Sequence, residues 1–259
     1  MAAELLAIPF GLAIGLIVGT VGGGGAILAL PVLIYVLGEP AGPAATASLI
    51  VVALGASVGA GAQAISGYVC WRVALVFSAP AAVGAYLGTV VGAEVSERVL
   101  VLSFVPVMLA AAALTYLRGS TPEPDDAEEC PPRVGTQAVF SGLAVGAMTG
   151  FFGVGGGFLI VPALSLLLGM GLRRSIAKSL AIITLTGLVA LGSHLAQGNP
   201  PDWDLTLALS GSAAVGALAG TRLGRRIEVS WLANGFAAVV AALAVFLLID
   251  VVFLGGPPG

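Results

Sequence analysis

Two clusters of glycine, each inside a long apolar run, carry the strongest chemical signal in this sequence. The first cluster is Gly22, Gly23, Gly24 and Gly25, and the second is Gly153, Gly155, Gly156 and Gly157. After each cluster the apolar sequence resumes, which predicts the start of a half-helix. The first N–H groups of a helix have no partner within it and carry the positive end of the helix dipole, and glycine lets an anion approach them closely. The clusters therefore predict a site for a small anion, built largely from backbone.

A few side chains could add to this site. Ser48 and Ser179 are the preferred hydroxyl donors because they occupy equivalent places in the repeat described below, although each could instead bond to a carbonyl of its own helix. Lys178 could supply a positive charge, but a lysine in the first turn of a membrane span more commonly snorkels to the interface. Three further hydroxyls have the same two options as the serines: Thr46, Thr184 and Thr186.

Other chemistries lack the residues they need. An intramembrane hydrolase requires a nucleophile with a base, or a cluster of metal-binding acids, but the chain has one histidine, His194, which we interpret as an interfacial residue, and no acid at mid-span. No Lys-Ser or Lys-Thr follows the glycines, so they are not nucleotide loops. Cys70 and Cys130 are isolated, and we interpret them as stray thiols. We expect neither enzyme activity nor a cofactor or metal.

The two glycine clusters belong to two copies of one sequence unit. Gly11, Gly15 and Gly19 recur as Gly142, Gly146 and Gly150, Trp71 recurs as Trp203, and Gly84 and Gly88 recur as Gly216 and Gly220. An internal repeat with a glycine interruption in each half is typical of a secondary transporter and points to its substrate site. The glycines that precede the clusters have GxxxG spacing, which predicts close helix packing rather than binding.

Composition predicts an integral membrane protein. The chain is 58% hydrophobic and 9% charged, and its net charge of −3 with no basic block excludes nucleic acid as a partner. Six apolar segments can each cross about 30 Å of hydrocarbon: Ala44–Ser66, Val73–Val91, Val99–Leu117, Ser175–Gln197, Leu205–Leu223 and Trp231–Phe253. A linker at 118–133, rich in proline and acids, separates a first membrane repeat (1–117) from a second (134–259).

The two segments that contain the glycine clusters, Leu5–Leu37 and Val134–Leu168, permit two interpretations. Each could be one broken, tilted span or a hairpin that returns to its starting side. The hairpin places all 10 Lys and Arg residues except Arg98 on one side of the membrane, as the positive-inside rule prefers. We therefore predict an all-α integral membrane protein of two inverted repeats. Each repeat comprises a glycine-broken helix pair, re-entrant or discontinuous, and three transmembrane helices, with the linker cytoplasmic.

The sequence also resembles a known family, the TauE/SafE sulfite-exporter-like permeases, also called the toluene-sulfonate uptake permease family. The resemblance rests on the glycine-rich stretch from Gly146 to Leu164 and is reinforced by Ala177–Leu180, His194–Gly198 and Gly216–Arg222. It implies a multi-pass permease of a prokaryotic cell membrane for sulfite, sulfoacetate or other sulfonates. Lys178 departs from the family pattern, which has a small or hydroxyl residue there.

Together these observations predict a secondary transporter of sulfur-containing or related organic anions that works by alternating access. The predicted substrate site is Gly22, Gly23, Gly24, Gly25, Ser48, Gly153, Gly155, Gly156, Gly157, Lys178 and Ser179. A passive anion channel could use the same dipoles and stays as the alternative. The expected partners are a small anionic substrate and membrane lipid, with a homodimer as an option.

Overall fold

Helices account for every regular element in the part of the chain that the computed structural model describes, namely residues 2–92, 94–95, 97–119, 135–152, 157–196 and 200–249. The α-helices are α1 (Ala2–Val21), α2 (Ala26–Pro31), α3 (Ala41–Ile65), α4 (Trp71–Gly92), α5 (Glu97–Gly119), α6 (Thr136–Phe152), α7 (Gly157–Leu166), α8 (Leu172–Ala196), α9 (Trp203–Gly224) and α10 (Val229–Ile249). A 3₁₀ turn at Gly23–Gly25 precedes α2, and a π-helical turn at Val32–Val36 continues it.

The six predicted spans coincide with α3, α4, α5, α8, α9 and α10. Four of these helices contain a stretch long and apolar enough to cross a membrane: Gly42–Ile65, Trp71–Gly92, Leu172–Gly192 and Val229–Ile249. Pro80 and Pro106 lie inside α4 and α5, which membrane helices tolerate when neighbouring groups satisfy the freed carbonyls. The predicted class, an all-α integral membrane protein, is confirmed.

The first helix of each half packs against the fourth helix of the other half, α1 on α9 and α6 on α4. These contacts join backbone to backbone. A Cβ added to Gly15 would overlap the carbonyl oxygen of Ala213, and one added to the equivalent Gly146 would overlap that of Ala81. Only glycine permits so close an approach. The predicted packing role is confirmed for Gly11, Gly15, Gly19, Gly142, Gly146 and Gly150.

The partner helices contribute glycines of their own to the same contacts. On α4, a Cβ at Gly84 would overlap the carbonyl oxygen of Leu143, and on α9 one at the equivalent Gly216 would overlap that of Leu12. Along each pair the contacts advance in the same direction in both helices. Consequently α1 runs parallel to α9, and α6 runs parallel to α4.

After α1 the chain reverses direction at Gly22, whose φ of +80° is readily adopted only by glycine. A Cβ at Gly25 would lie 2.5 Å from Val18 Cγ2 and 2.8 Å from the carbonyl oxygen of Ile14. The segment after Gly22 therefore runs back alongside α1. It reaches Glu39, which interacts electrostatically with Asp202 at the start of α9. Because α9 is parallel to α1, the chain returns to the end of the bundle at which it began.

The opposite end of the bundle, here called the basic end, holds Arg72, Arg173, Arg174, Arg222, Arg225 and Arg226. The Arg173 guanidinium donates hydrogen bonds to the carbonyl oxygens of Arg225 (2.6 Å) and Ile227 (2.8 Å), just beyond α9. Arg225 in turn donates to the Ser66 hydroxyl at the end of α3, only a short loop before α4 and Arg72. The start of α8 and the ends of α3 and α9 therefore lie together.

The equivalent helices α3 and α8 pack against each other in opposite directions. A Cβ at Gly59 would lie 3.1 Å from Leu180 Cδ1, whereas one at Gly187 would lie 3.2 Å from the Cβ of Ala53. The residue numbers thus fall on one helix as they rise on the other. The other equivalent pair, α5 and α10, also packs together, so equivalent helices of the two halves meet at two places in the bundle.

One sequence interpretation is wrong at Cys70. Its side chain is buried at the start of α4 and is disulfide-bonded, so it is not a stray thiol. The chain's other cysteine, Cys130, lies outside the described residues, as do Gly153, Gly155 and Gly156 of the second glycine cluster.

Candidate functional site

The two glycine segments meet inside the bundle. A Cβ added to Gly23 would overlap the backbone of Gly157, and one added to Gly157 would lie 2.9 Å from the Cα of Gly23 and 2.9 Å from Ile183 Cδ1. The 3₁₀ turn that precedes α2 and the first residue of α7 are therefore in direct backbone contact. The two clusters that the sequence assigns to one anion site thus touch each other at Gly23 and Gly157.

Ser179 lies beside this junction. A Cβ added to Gly22 would lie 2.5 Å from the Ser179 hydroxyl oxygen and 3.4 Å from the Cα of Ile176. Ser179 is fully buried, and its hydroxyl donates to the carbonyl oxygen of Ile176 at 2.8 Å. The residues predicted for the first half of the site, Gly22 and Gly23, thus share one location with Ser179 and Gly157 from the second half.

The helices that leave this junction point in opposite directions. The run through Gly24 and Gly25 into α2 leads back toward Glu39, whereas α7 leads from Gly157 toward the loop before Arg173. No side chain caps the start of α2 at Gly25. Both helices therefore begin near the same point, and the N–H groups of their first turns are the donors that a helix does not itself satisfy. The partial positive charges at these two helix starts add together there.

Lys178 is buried, with only 3% of the residue exposed. Its ammonium lies 3.4 Å from the sulfur of Met170, and the charged neighbour that acts on it is another cation, Arg174. Among the described residues it makes no ion pair with a carboxylate. The interpretation of Lys178 as a snorkelling lysine at the interface is therefore wrong. A buried ammonium contacting only a weak acceptor is costly unless an anion neutralises it.

The remaining predicted hydroxyls bond within their own helices, which is the alternative that the sequence left open. Ser48 donates to the carbonyl oxygen of Ala45 at 2.8 Å, as its counterpart Ser179 does to that of Ile176. Thr184 and Thr186 donate to Leu180 and Ile182. Gly153, the repeat counterpart of Gly22, lies outside the described residues.

Sequence reasoning assigned no binding role to four buried side chains that each have a polar oxygen without a hydrogen-bond partner among the described residues. They are Gln63, Ser78, Thr206 and Ser210. Ser78 on α4 and Ser210 on α9 are equivalent in the repeat, and that recurrence is the signal that could have revealed them. Most other hydroxyls of the described residues bond to a carbonyl of their own helix, so these four side chains are exceptions to the usual pattern of buried polar groups.

Several known proteins match this chain, two of them over most of its length. The model of the family described as "Sulfite exporter TauE/SafE" matches residues 7–247. A "Probable membrane transporter protein" of Xylella fastidiosa (strain 9a5c) is 32% identical over 240 residues, 91% of each chain. A protein of the same name from strain Temecula1 is 32% identical over 239 residues, again 91% of each. "Probable membrane transporter protein YunE" of Bacillus subtilis is 30% identical over 111 residues, 43% of this chain and 40% of its own. No solved structure matches.

The bundle of apolar helices, with helix starts meeting inside it, and these relatives together define a multi-pass membrane transporter. Within that class, the chain belongs to the TauE/SafE sulfite exporter family.

Proposed function

We propose that the protein is a secondary transporter of small sulfur-containing or related organic anions, such as sulfite, sulfoacetate or other sulfonates. The observation that carries this proposal is Lys178, a buried ammonium without a carboxylate partner among the described residues, adjacent in sequence to the serine that touches the glycine junction. The family description supports the choice of a sulfur oxyanion.

The proposed site combines backbone and side-chain donors. The first N–H groups of α2 and α7 supply partial positive charge, Lys178 supplies a full one, and the Ser179 hydroxyl can rotate from its own helix to donate to a bound oxyanion. The glycines keep side chains out of the space in front of these N–H groups. Gly24, Gly153, Gly155 and Gly156 belong to the same two glycine clusters, and Ser48 is the repeat counterpart of Ser179, so we include all five in the proposed set.

We further propose that the two halves are inverted repeats and that each glycine-containing segment is a re-entrant hairpin. The parallel packing of α1 with α9, the antiparallel packing of α3 with α8 and the return of the chain to Glu39 support this arrangement. A transporter built in this way exposes a central site to either membrane face by rocking one part against another. The tight Gly23–Gly157 contact favours this mechanism over a permanently open channel.

The basic end is the proposed cytoplasmic face, because an excess of Lys and Arg marks cytoplasmic loops. The disulfide at Cys70 argues for the other orientation, since disulfides persist mainly outside the cytosol. We give the charge distribution more weight because it involves six arginines of this end and acts while the helices insert.

The test is uptake of labelled sulfite or sulfoacetate into proteoliposomes. We expect saturable uptake that accelerates when the vesicles are preloaded with the same anion, because such exchange requires alternating access. Lys178→Met should abolish uptake, whereas Lys178→Arg should retain part of it.

The methionine variant should still fold, because replacing a buried charge with a hydrophobic side chain of similar size is often neutral or stabilising. A folded Lys178→Met protein that transports at the wild-type rate would remove Lys178 from the site. Flux that does not saturate and ignores preloading would favour the channel.

A further inference from the structure

An apolar groove opens between α1, α9 and α10 at the basic end of the bundle. Its volume is about 680 Å³, within the range of sites that hold organic ligands. The walls come mainly from aliphatic and aromatic side chains, including Leu16, Leu223, Trp231 and Phe236. Its polar members are Thr20, whose hydroxyl donates to the carbonyl oxygen of Leu16 at 2.8 Å, and Glu228 at the start of α10.

The repeat explains why the groove is open. In the other half, the positions equivalent to Thr20 and Val21 are Phe151 and Phe152. Phe152 packs on Phe104 with ring centroids 4.9 Å apart, and Phe151 and Phe152 lie 5.0 Å apart. Phe104 corresponds to Phe236 of the groove. Small residues thus replace two aromatic rings on one side of an otherwise repeated packing arrangement.

A glycine deepens the same groove. Gly235 lies on its wall, and a Cβ added there would meet nothing within 4 Å. The equivalent residue in the first half is Ser103. Interior glycine costs a helix about 1 kcal/mol relative to alanine, so this residue keeps space open at the expense of helix stability.

The groove faces the membrane rather than the protein interior. Trp231 is 69% exposed and Leu223 is 43% exposed, although both are apolar. An apolar recess on the outer surface of a membrane protein contacts lipid chains, and tryptophan near a helix end is typical of the membrane–water interface.

Four arginines lie at the same end of the bundle as the groove. Arg222, Arg225 and Arg226 are exposed at the end of α9, and Arg173 is held by carbonyl groups there. Glu228 is the single acid among the groove residues. Arginine clusters at the membrane surface attract the phosphates of anionic lipids, so cations outnumber acids where a headgroup would lie.

We propose that this groove binds one acyl chain of an anionic phospholipid, with the lipid phosphate held by the arginines at the end of α9. The apolar walls recognise the chain, and the arginines select the charge of the headgroup. This site is separate from the Gly23–Gly157 junction and does not depend on what the protein transports.

Gly235→Leu tests the chain site, because leucine fills the groove from a position with open space around it. Gly211→Leu on α9 is the matched control, since a Cβ there also meets nothing within 4 Å and Gly211 does not line the groove. Both variants should gain helix stability in detergent. With added phosphatidylglycerol, wild type and Gly211→Leu should show an upward Tm shift and a bound lipid by native mass spectrometry, and Gly235→Leu should lose both.

The headgroup is tested with Arg222→Gln/Arg226→Gln. This double variant should still bind lipid, but its preference for phosphatidylglycerol over phosphatidylcholine should disappear. Equal phosphatidylglycerol shifts in Gly235→Leu and wild type would overturn the proposal, as would wild type that responds identically to both lipids. If the wild-type protein is a dimer, and Gly235→Leu dissociates it without changing the response to lipid, the groove binds a second copy of the chain and the proposal is wrong.

Discussion

Gly22 is constrained twice, by its backbone conformation and by its neighbour Ser179. We expect Gly22→Ala to lower Tm, because a left-handed conformation costs a non-glycine residue about 1 to 2 kcal/mol and the new Cβ would lie 2.5 Å from the Ser179 hydroxyl oxygen. The double variant with Ser179→Ala should recover only the part of the Tm loss that comes from this steric contact. Gly61→Ala is the control, since nothing lies within 4 Å of its Cβ position and it should be neutral or slightly stabilising. A Gly22→Ala protein as stable as Gly61→Ala would contradict this account.

Glu39 makes stability depend on pH. Burial, and secondarily the charge of Asp202, raise its pKa above the ordinary 4.5, so folding favours the protonated carboxyl. Its stabilising effect is therefore complete below pH 4.5 and is lost as pH rises through the raised pKa. Glu39→Gln should flatten the decline in Tm above this pH.

The control for Glu39→Gln is Asp202→Asn. This substitution removes the charge next to Glu39, and asparagine can still cap α9. Asp202 now accepts from the N–H of Asp204 at 3.0 Å and of Leu205 at 3.2 Å, and asparagine caps helices about as well as aspartate. A Tm profile that Glu39→Gln leaves unchanged would mean that this carboxyl does not titrate with folding.

At the residue scale, the sequence marked Gly23 and Gly157, which meet, and it named Lys178 as a site residue, but its interpretation of Lys178 as a snorkelling lysine is wrong. Glycines at such a junction can be recognised from the sequence alone, because a glycine cluster interrupts an apolar run that would otherwise form a helix. The environment of Lys178 depends on the loop around Met170 and on α8 lying inside the bundle, and neither follows from its place in the first turn of a span.

At the element scale, the pairs α1 with α9 and α4 with α6 should depend equally on their glycines. We expect Gly15→Ala and Gly146→Ala each to cost about 1 to 3 kcal/mol, the usual penalty for overpacking, because each Cβ would overlap a carbonyl oxygen. Anion-dependent stabilisation should survive in both variants, measured as the Tm shift with sulfite. Gly211→Ala, in open space on α9, should not destabilise. A loss of the sulfite shift without a loss of stability would move these glycines into the site.

The sequence predicted the helices better than their directions. Hydropathy located α3, α4, α5, α8, α9 and α10 because each is a continuous apolar run. The direction of the chain after Gly22 depends on a φ of +80° and on Gly25 fitting against Val18, which hydropathy does not record. The distribution of Lys and Arg favoured the hairpin, because the positive-inside rule depends on which loops share a membrane face.

At the scale of the whole molecule, the proposed topology makes one sharp prediction. Cysteines placed at Arg72 and Arg173 should react with an impermeant thiol reagent from the same face, because the Arg173–Arg225–Ser66 contacts gather these loops at the basic end. Labelling on opposite faces would rule out the hairpin arrangement. A cysteine at Asp202 should react from the other face, which provides the internal control.

The repeat allowed the sequence to predict that the two halves correspond. The groove that is open in only one of the halves could be recognised only in the structure. Thr20 and Val21 stand where the other half has the aromatic residues Phe151 and Phe152, and this difference is visible in the sequence. Its result, an open groove beside α10, follows only because Phe236 and Gly235 face the same space.

The crossed pairing of α1 with α9 also determines how the protein is made. Helix α1 leaves the ribosome before α9, which follows only after residues 22–202 have been translated. At about 5 to 20 residues per second this delay is roughly 10 to 40 s. During that time the glycine row of α1 has no partner helix and rests against lipid or the insertion machinery. The α1–α9 interface therefore cannot form until α9 has been made, and the rate of translation sets the earliest time at which the bundle can assemble.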